Sequence, residues 1–359
     1  MVAPALSFTG TLPPSYVALF DDDGVPVWWF HTTAAAMDAK LLPNGDIAWA
    51  DTFGGGFGKD PRIKYEIRSL DGTLSSTLQT SGTTTDSHEL QQLPNGNYLM
   101  DSYVPRDHVD LSPYGGPPDA TVLDGEIQEL QPDGTLVWSW NSKDHTSLAE
   151  TGRWYQNGAL TPTTLPDGRT AYDIVHLNSI EANGNTLLVS FRHLDAVYAI
   201  DMTSGNVLWK LGGTPTAQSL AIVGDPNVAT DFGGQHDARI LSDGTVTVFD
   251  DGTFRNRAPR DLRFTIDTTA KTATLDESIT DSSAPTSGCC GSARRLSGGD
   301  WVTSWGSTPL VTEQTPTGQE LLWMQFSGGP FTYRAVPVMP GVLDATTLRA
   351  DMDAMNPRP

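Results

Sequence analysis

The chain has 359 residues, 43 acidic against 22 basic, and a net charge of -21. A surface of that sign repels phosphate backbones, which excludes nucleic acid as a partner class, and no apolar run of about 18 residues offers a membrane span. Met1 to Leu6 lack the basic start and apolar stretch of an export signal; a secreted or periplasmic protein whose signal lies outside this sequence is the expectation, with a cytoplasmic one open.

Residues 1–15 read as a short arm. Tyr16 to Trp29, with Asp23-Gly24 at the centre, read as two strands about a turn. Leu41-Leu42-Pro43-Asn44-Gly45-Asp46-Ile47 then states the phrase that organises the chain: a strand, a Gly turn, a second strand. A tight hairpin takes positive φ, which Gly adopts freely and Asn or Asp more readily than most residues. The phrase returns at Leu93 to Tyr98 about Gly96, Ala182 to Leu187 about Gly184 and Leu241 to Val246 about Gly244, and more weakly at Leu296 to Val302 about Gly298 or Gly299. Between copies lies a second phrase, turning at Asp71-Gly72, Asp133-Gly134, Ser204-Gly205 and Thr317-Gly318. Two phrases give about four short antiparallel strands, one blade of a β-propeller.

Three segments interrupt this pattern. Phe53 to Pro61 contain three consecutive glycines, but no Gly-Lys-Ser/Thr follows, so a loop is expected and not a phosphate cradle. Residues 101–125, with Pro105, Pro113, Pro117 and Pro118, read as a loop insertion. Residues 141–175 form a larger one, whose Trp154, Tyr155 and Tyr172 either line a pocket for a ring-shaped substrate or anchor the loop on the disc. Further on, Arg255, Arg257, Arg260 and Arg263 make a locally basic patch beside Asp251 and Asp261. Phe331 to Val338 supply first-phrase strand material without a second phrase, and joining them to residues 16–29 closes the ring. The expected fold is therefore an all-β, six-bladed β-propeller of four-stranded antiparallel blades, the last blade closed by both termini. Residues 1–345 form a single domain, because a blade's faces are covered only by its neighbours, and 346–359 form a tail that frays from Asp351.

Eight residues before Gly96, Gly184 and Gly244 stand His88, His176 and His236, so three of the seven histidines hold one position of the repeat. Equivalent positions of different blades approach one another around a propeller axis, which places the three imidazoles in one site. Such a set offers a nucleophile, a general base and an electrostatic partner near neutral pH; it equally suits a metal or a structural role. Asn178, two residues after His176, shares its side of a strand, and Arg192 follows Leu187 to Ser190 near the channel rim, where an obligate cation suits sulfate or phosphate. Glu89 and Asp237 alternate away from the axial histidines and either orient a neighbouring ring or meet solvent; Arg239 is the better partner for Asp237 or Asp243. His193 reads as a bystander, and His31, His108 and His145 lie outside the repeat. In the fifth copy the histidine gives way to Cys290 or Gly291, leaving room for substrate. Cys289 and Cys290 are two free thiols, a strained vicinal disulfide or a thiolate nucleophile.

The segments Asp86-Ser87-His88-Glu89-Leu90, His176-Leu177-Asn178-Ser179-Ile180 with Ser190-Phe191-Arg192, Val197 to Gly212, and Gly234-Gln235-His236-Asp237-Ala238 together resemble the PAPS-independent arylsulfotransferases, over roughly residues 80 to 330. The resemblance implies a six-bladed propeller that moves a sulfuryl group from an aryl sulfate to a phenol by a ping-pong route, with no nucleotide, cofactor or metal. By motif, His236 corresponds to the nucleophile that becomes sulfohistidine, His176, Asn178 and Arg192 to the sulfate-binding group, and His88 to the residue that handles the phenolic proton or adds to the clamp. The small polar residue the family contributes from a later blade has two candidates, Ser292 and Thr303. Set against that family, the chain is expected to lack a large N-terminal domain that supplies a dimerisation surface, and a monomer is the expectation. Two other readings stay open: a propeller hydrolase or biosynthetic enzyme using the same histidines on a bulky aromatic substrate, and a noncatalytic binding propeller.

Overall fold

Each Gly turn of the first phrase closes a hairpin in the computed structural model, which describes residues 1–4, 6, 15–53, 56–227 and 232–356. Gly45, Gly96, Gly184, Gly244 and Gly299 all take positive φ, and it is Gly299 rather than Gly298 that makes the fifth turn. Gly54 and Gly55 of the expected glycine loop, most of the arm, and residues 357–359 lie outside the described residues.

Strands β1 (Ser15–Phe20) and β2 (Pro26–Thr32) form a two-stranded sheet. The next sheet runs β3 (Ala35–Leu41), β4 (Ile47–Thr52), β5 (Lys64–Arg68), β6 (Leu74–Leu78). A six-stranded sheet follows, with β7 (Thr84–Gln92), β8 (Tyr98–Val109), β9 (Ala120–Leu130), β10 (Leu136–Asn141), β11 (Pro162–Thr164) and β12 (Thr170–Asp173); the single-turn helix α1 (Trp154–Asn157) precedes β11. Then come β13 (Leu177–Asn183), β14 (Thr186–Phe191), β15 (Ala196–Asp201), β16 (Val207–Gly212) in one sheet, and β17 (Ala221–Val223), β18 (His236–Ile240), β19 (Val246–Asp250), β20 (Arg260–Asp267), β21 (Thr272–Ile279) in the next. The last is β22 (Ser292–Arg295), β23 (Trp301–Ser304), β24 (Leu310–Gln314), β25 (Glu320–Gln325). Helix α2 (Ala345–Met355) ends the described chain.

The molecule is thus a five-bladed β-propeller with blades of four to six strands, which corrects the expected six blades of four. Among the described residues the two chain ends do meet, but in isolated bridges and single hydrogen bonds in place of a ladder: Val2 bridges Ala335 and Ala18, Leu6 bridges Phe331, and Met1 and Ala3 bond Val336 and Thr332. The C-terminal partner segment carries Gly328, Gly329, Pro330, Pro337 and Pro340, residues that forgo the donors and the regular backbone a ladder needs. The larger blades arise where inserted segments take open strand edges. β9 pairs with β10 over Glu126 to Leu130 and with β12 over Thr121 to Leu123, so one long strand serves two partners.

Burial falls from axis to rim. The inner strands β3, β7, β13, β18 and β22 meet in sequence and are largely buried, whereas β6, β10 and β25 at the rim are mostly exposed or half-buried. Apolar clusters fill the spaces between consecutive sheets, such as Trp140, Tyr103, Phe191 and Tyr198 between the third and fourth. Full burial of a single Leu or Phe in such a layer contributes about 1.5–3 kcal/mol. Residues 101–125, expected as a loop insertion, instead extend β8 and β9 into a long hairpin; β8 passes the end of β7 at Tyr103, so Pro105 sits where the strand has a free edge. The expected frayed tail is also corrected: α2 starts on an Asp344 cap and packs Leu348, Met352 and Met355 against the β1–β2 side of the ring.

Candidate active site

A bulge at one level of four successive inner strands builds the site. The register slips between Met37 and Lys40, Thr85 and Leu90, Leu177 and Ser179, and His236 and Arg239. Left-handed backbone at Asp38, His176 and Asp237 accompanies three of these slips. A bulge breaks strict alternation and re-aims a side chain; here His88, His176 and His236 face one end of the channel, while Glu89 and Asp237 face the other and Leu177 packs into the apolar core.

The structure brings the histidine rings and Tyr333 into one group. His88 and His176 lie edge to face with centroids 5.3 Å apart, and Tyr333 joins the group at 5.5 Å from His88 and 6.3 Å from His236. Each imidazole presents Nδ1 to an aspartate: His88 to Asp86, His176 to Asp173 at 2.7 Å, and His236 to Asp251 at 2.7 Å. His236 is 1% exposed. Its Nδ1 also meets the Gly234 carbonyl at 3.0 Å, which fixes the proton on Nδ1 and leaves the lone pair on Nε2. That lone pair accepts the Cys290 N–H at 3.2 Å. Burial, then the charge of Arg192, then His176 and His88 hold His236 well below the usual imidazole value. Burial, then Arg192 and His88 do the same to His176. Burial raises Asp251 well above the usual carboxylate range, against the pull of the Ser287 hydroxyl that donates to it.

Arg192 bends across this cluster. Its Nη2 donates to Gly288 O at 2.8 Å and its Nη1 to His193 Nε2 at 3.1 Å, while Nε is buried with no hydrogen-bond partner among the described residues. A desolvated guanidinium N–H without an acceptor calls for an anion. His193, read as a bystander, is part of the site: it packs 4.7 Å from His176 and 4.7 Å from Trp154, and donates from Nδ1 to Asp173 O at 2.7 Å. Asn178 is tied down instead of aimed freely: its amide donates to Gln235 O at 2.7 Å, and its own carbonyl accepts from Tyr333 and Arg334. The bulge at Leu177/Ser179 removes the simple same-side relation to His176 that an unbroken strand would give.

Other expectations shift as well. Ser292 bonds Ala335 and Thr303 bonds Asp261, so neither reaches the histidines. Their place is taken by residues 287–291, which meet Asp251, Arg192 and His236 in turn. The position of Cys290 is thus filled by its own backbone, and both cysteines are free thiols. Glu89 and Asp237 point into a buried ionic cluster at the other end of the channel. There Arg239 bonds Asp237 at 2.7 Å and Glu89 at 2.5 Å, and Arg334 meets Asp38, Glu89 and Asp237. The arginines after Asp251 are paired with carboxylates, Arg257 with Asp250, Arg260 with Asp225 and Arg263 with Glu277, and form no anion patch. Of the inserted aromatics, Trp154 stands beside the site under Arg192 at 4.3 Å, and Tyr155 anchors its loop by stacking on Tyr114 at 4.3 Å.

Among the described residues, the groups that bring possible metal ligands within 4.8 Å are Asp173, His176 and His193, and Asp86, His88 and Asp101, not the three repeat histidines together. The Arg192 guanidinium on His193 Nε2 sets a fixed positive charge against a cation in the first group. Asp173, Asp251, Tyr333 and Phe57, whose ring lies 4.7 Å from His176, were missed by sequence reasoning. The aspartates stand two before, three before and fifteen after their histidines, so no common spacing marks them.

The model of the arylsulfotransferase family matches residues 49–327. The chain belongs to the arylsulfotransferase family. Of the features above, the histidine cluster, Arg192 and Asp251 all fall within the matched span of this arylsulfotransferase-family enzyme. Two solved structures share its fold: a protein of unknown function from Bacteroides caccae, 11% identical, covering 89% of this chain and 93% of its own, with a TM-score of 0.52, and the periplasmic gluconolactonase PpgL of Pseudomonas aeruginosa, 13% identical, covering 90% and 96%, with a TM-score of 0.52. No curated protein matches the arylsulfotransferase chain. No described helix is long and apolar enough to cross a membrane.

Proposed function

We propose that this arylsulfotransferase moves a sulfuryl group from an aryl sulfate to a phenol through a sulfohistidine on His236, without a nucleotide donor. The observation that carries the reading is the pairing of a neutral, buried imidazole, its Nδ1–H held by Asp251, with the unpartnered Nε–H of Arg192. In the first half-reaction the Nε2 lone pair gives up the Cys290 N–H and forms an N–S bond, the S–O(aryl) bond breaks, and the phenolate leaves with the electron pair. Arg192 meets the negative charge on the sulfuryl oxygens, His176, kept neutral with its Nδ1 on Asp173, lines the cavity beside it, and Asp251 meets the positive charge that develops on the ring. In the second, a phenol oxygen attacks sulfur, its proton passes to His88, and the N–S pair returns to Nε2. Asn178 positions the Gln235 carbonyl next to His236 and Tyr333 below it.

Stopped-flow release of 4-nitrophenol from its sulfate tests this. A burst of about one equivalent followed by turnover that rises with added phenol supports transfer. Steady release that ignores phenol, with inorganic sulfate as product, would favour hydrolysis by the same histidines.

A further inference from the structure

The loop that leaves β19 supplies Asp251 to His236 and, three residues later, sets Phe254 in an unusual state. Phe254 is 66% exposed, yet its backbone is held at φ 57°, a left-handed conformation that a bulky side chain rarely adopts. Single exposed apolar side chains are ordinary; an exposed one kept in a strained backbone is not, because no burial offsets the strain. The strain is imposed by neighbours on both sides. Thr253 N donates to Gly233 O at 2.9 Å, Thr253 Oγ1 to Ser287 O at 3.3 Å, Arg255 Nε to Phe232 O at 3.1 Å, and Arg255 Nη2 to Asp195 at 3.3 Å. The same Asp195 accepts from Trp154 Nε1 at 2.9 Å. One carboxylate therefore ties Trp154 to Arg255, the residue after Phe254, and the two aromatic centroids lie 5.9 Å apart, edge to face.

Trp154 cannot itself receive an aryl group. It is 1% exposed and its ring already carries the guanidiniums of Arg153 at 4.4 Å and Arg192 at 4.3 Å. Phe254 is the next ring outward, it is open to solvent, and it stands one aromatic neighbour from the cation that meets sulfate.

We infer that Phe254 is the platform on which the aryl ring of donor or acceptor stacks, and so a determinant of aryl specificity. The inference rests on the proposed reading of the site as one for aryl sulfates. Naphthalene-2-sulfonate, whose C–S bond does not transfer, measures the platform apart from catalysis, with methanesulfonate as the ring-free control. Titration calorimetry is expected to show Phe254→Ala weakening naphthalenesulfonate binding by about 3- to 10-fold, the range of one aromatic pair. Methanesulfonate affinity stays unchanged, and Phe254→Trp keeps wild-type affinity. Phe254→Gly, which relieves the backbone, should lose the same affinity with no fall in Tm. Unchanged naphthalenesulfonate binding in Phe254→Ala, or an equal loss for methanesulfonate, overturns the inference. Ring binding that depends on Phe254 in an enzyme showing no burst and no phenol-dependent turnover would uphold it and sink the proposed reaction alone.

Discussion

Asp251 decides which nitrogen of His236 carries the proton, and with it whether Nε2 can attack. Asn at that position keeps an acceptor but loses the charge that answers a positive ring. Asp251→Asn is therefore expected to slow nitrophenol release by about 10²- to 10⁴-fold, the cost of altering an orienting carboxylate beside a catalytic imidazole. The pH dependence has a definite sign. Burial and Arg192 both disfavour the imidazolium, so His236 stays neutral, and able to attack, below its ordinary value of about 6.5. Single-turnover release measured against pH should place the acid limb below that value; a limb at or above it would mean the nucleophile is another group. The histidines were legible in the sequence because each sits at one position of a repeat, and a repeat converts spacing into proximity. Their aspartates were not, because Asp86, Asp173 and Asp251 reach the rings from different backbone routes: Asp86 from within β7, Asp173 at the end of β12, and Asp251 just past β19.

At the scale of elements, the site depends on bulges and on the turn at residues 287–291. Gly291 holds φ 97°, and a Cβ there would lie 2.5 Å from the Phe249 ring and 2.8 Å from Ser304 O. Gly291→Ala should thus cost about 1–3 kcal/mol in urea unfolding. It should also change turnover of the folded fraction, since the Cys290 N–H would shift from the His236 Nε2 that it occupies. Wild-type stability and rate together would show that this turn is not fixed as described. The hairpins were readable from Gly turns, but the bulges were not, since nothing in Asp237 or His176 announces a left-handed residue. Proline content misled at residues 101–125, where a free strand edge tolerates Pro105. The loop at 141–175 misled in the same way, since part of it folds as β11 and β12 on the open edge of its own blade.

Across the whole molecule, the ring is held at its axis by charges. Arg334 is fully buried among Asp38, Glu89 and Asp237, and its Nη2 also bonds Asn178 O at 2.7 Å, so one side chain ties the C-terminal segment to four inner strands. Removing it strands buried carboxylates, and Arg334→Ala is expected to lose about 3–5 kcal/mol in denaturant unfolding; a loss under about 1 kcal/mol would show the cluster to be unimportant for closure. The propeller class was legible because blades repeat, whereas the blade count was not. The ends supply strand-like sequence whose glycines and prolines make single bridges in place of a ladder. The central claim concerns one nitrogen, and peptide mapping after a brief reaction with aryl sulfate, kept near neutral pH, addresses it. The account predicts one acid-labile sulfuryl group on the peptide containing His236, absent in His236→Ala. A sulfuryl group on the peptide containing His176 or His88 instead, or none while phenol-dependent transfer proceeds, would contradict it.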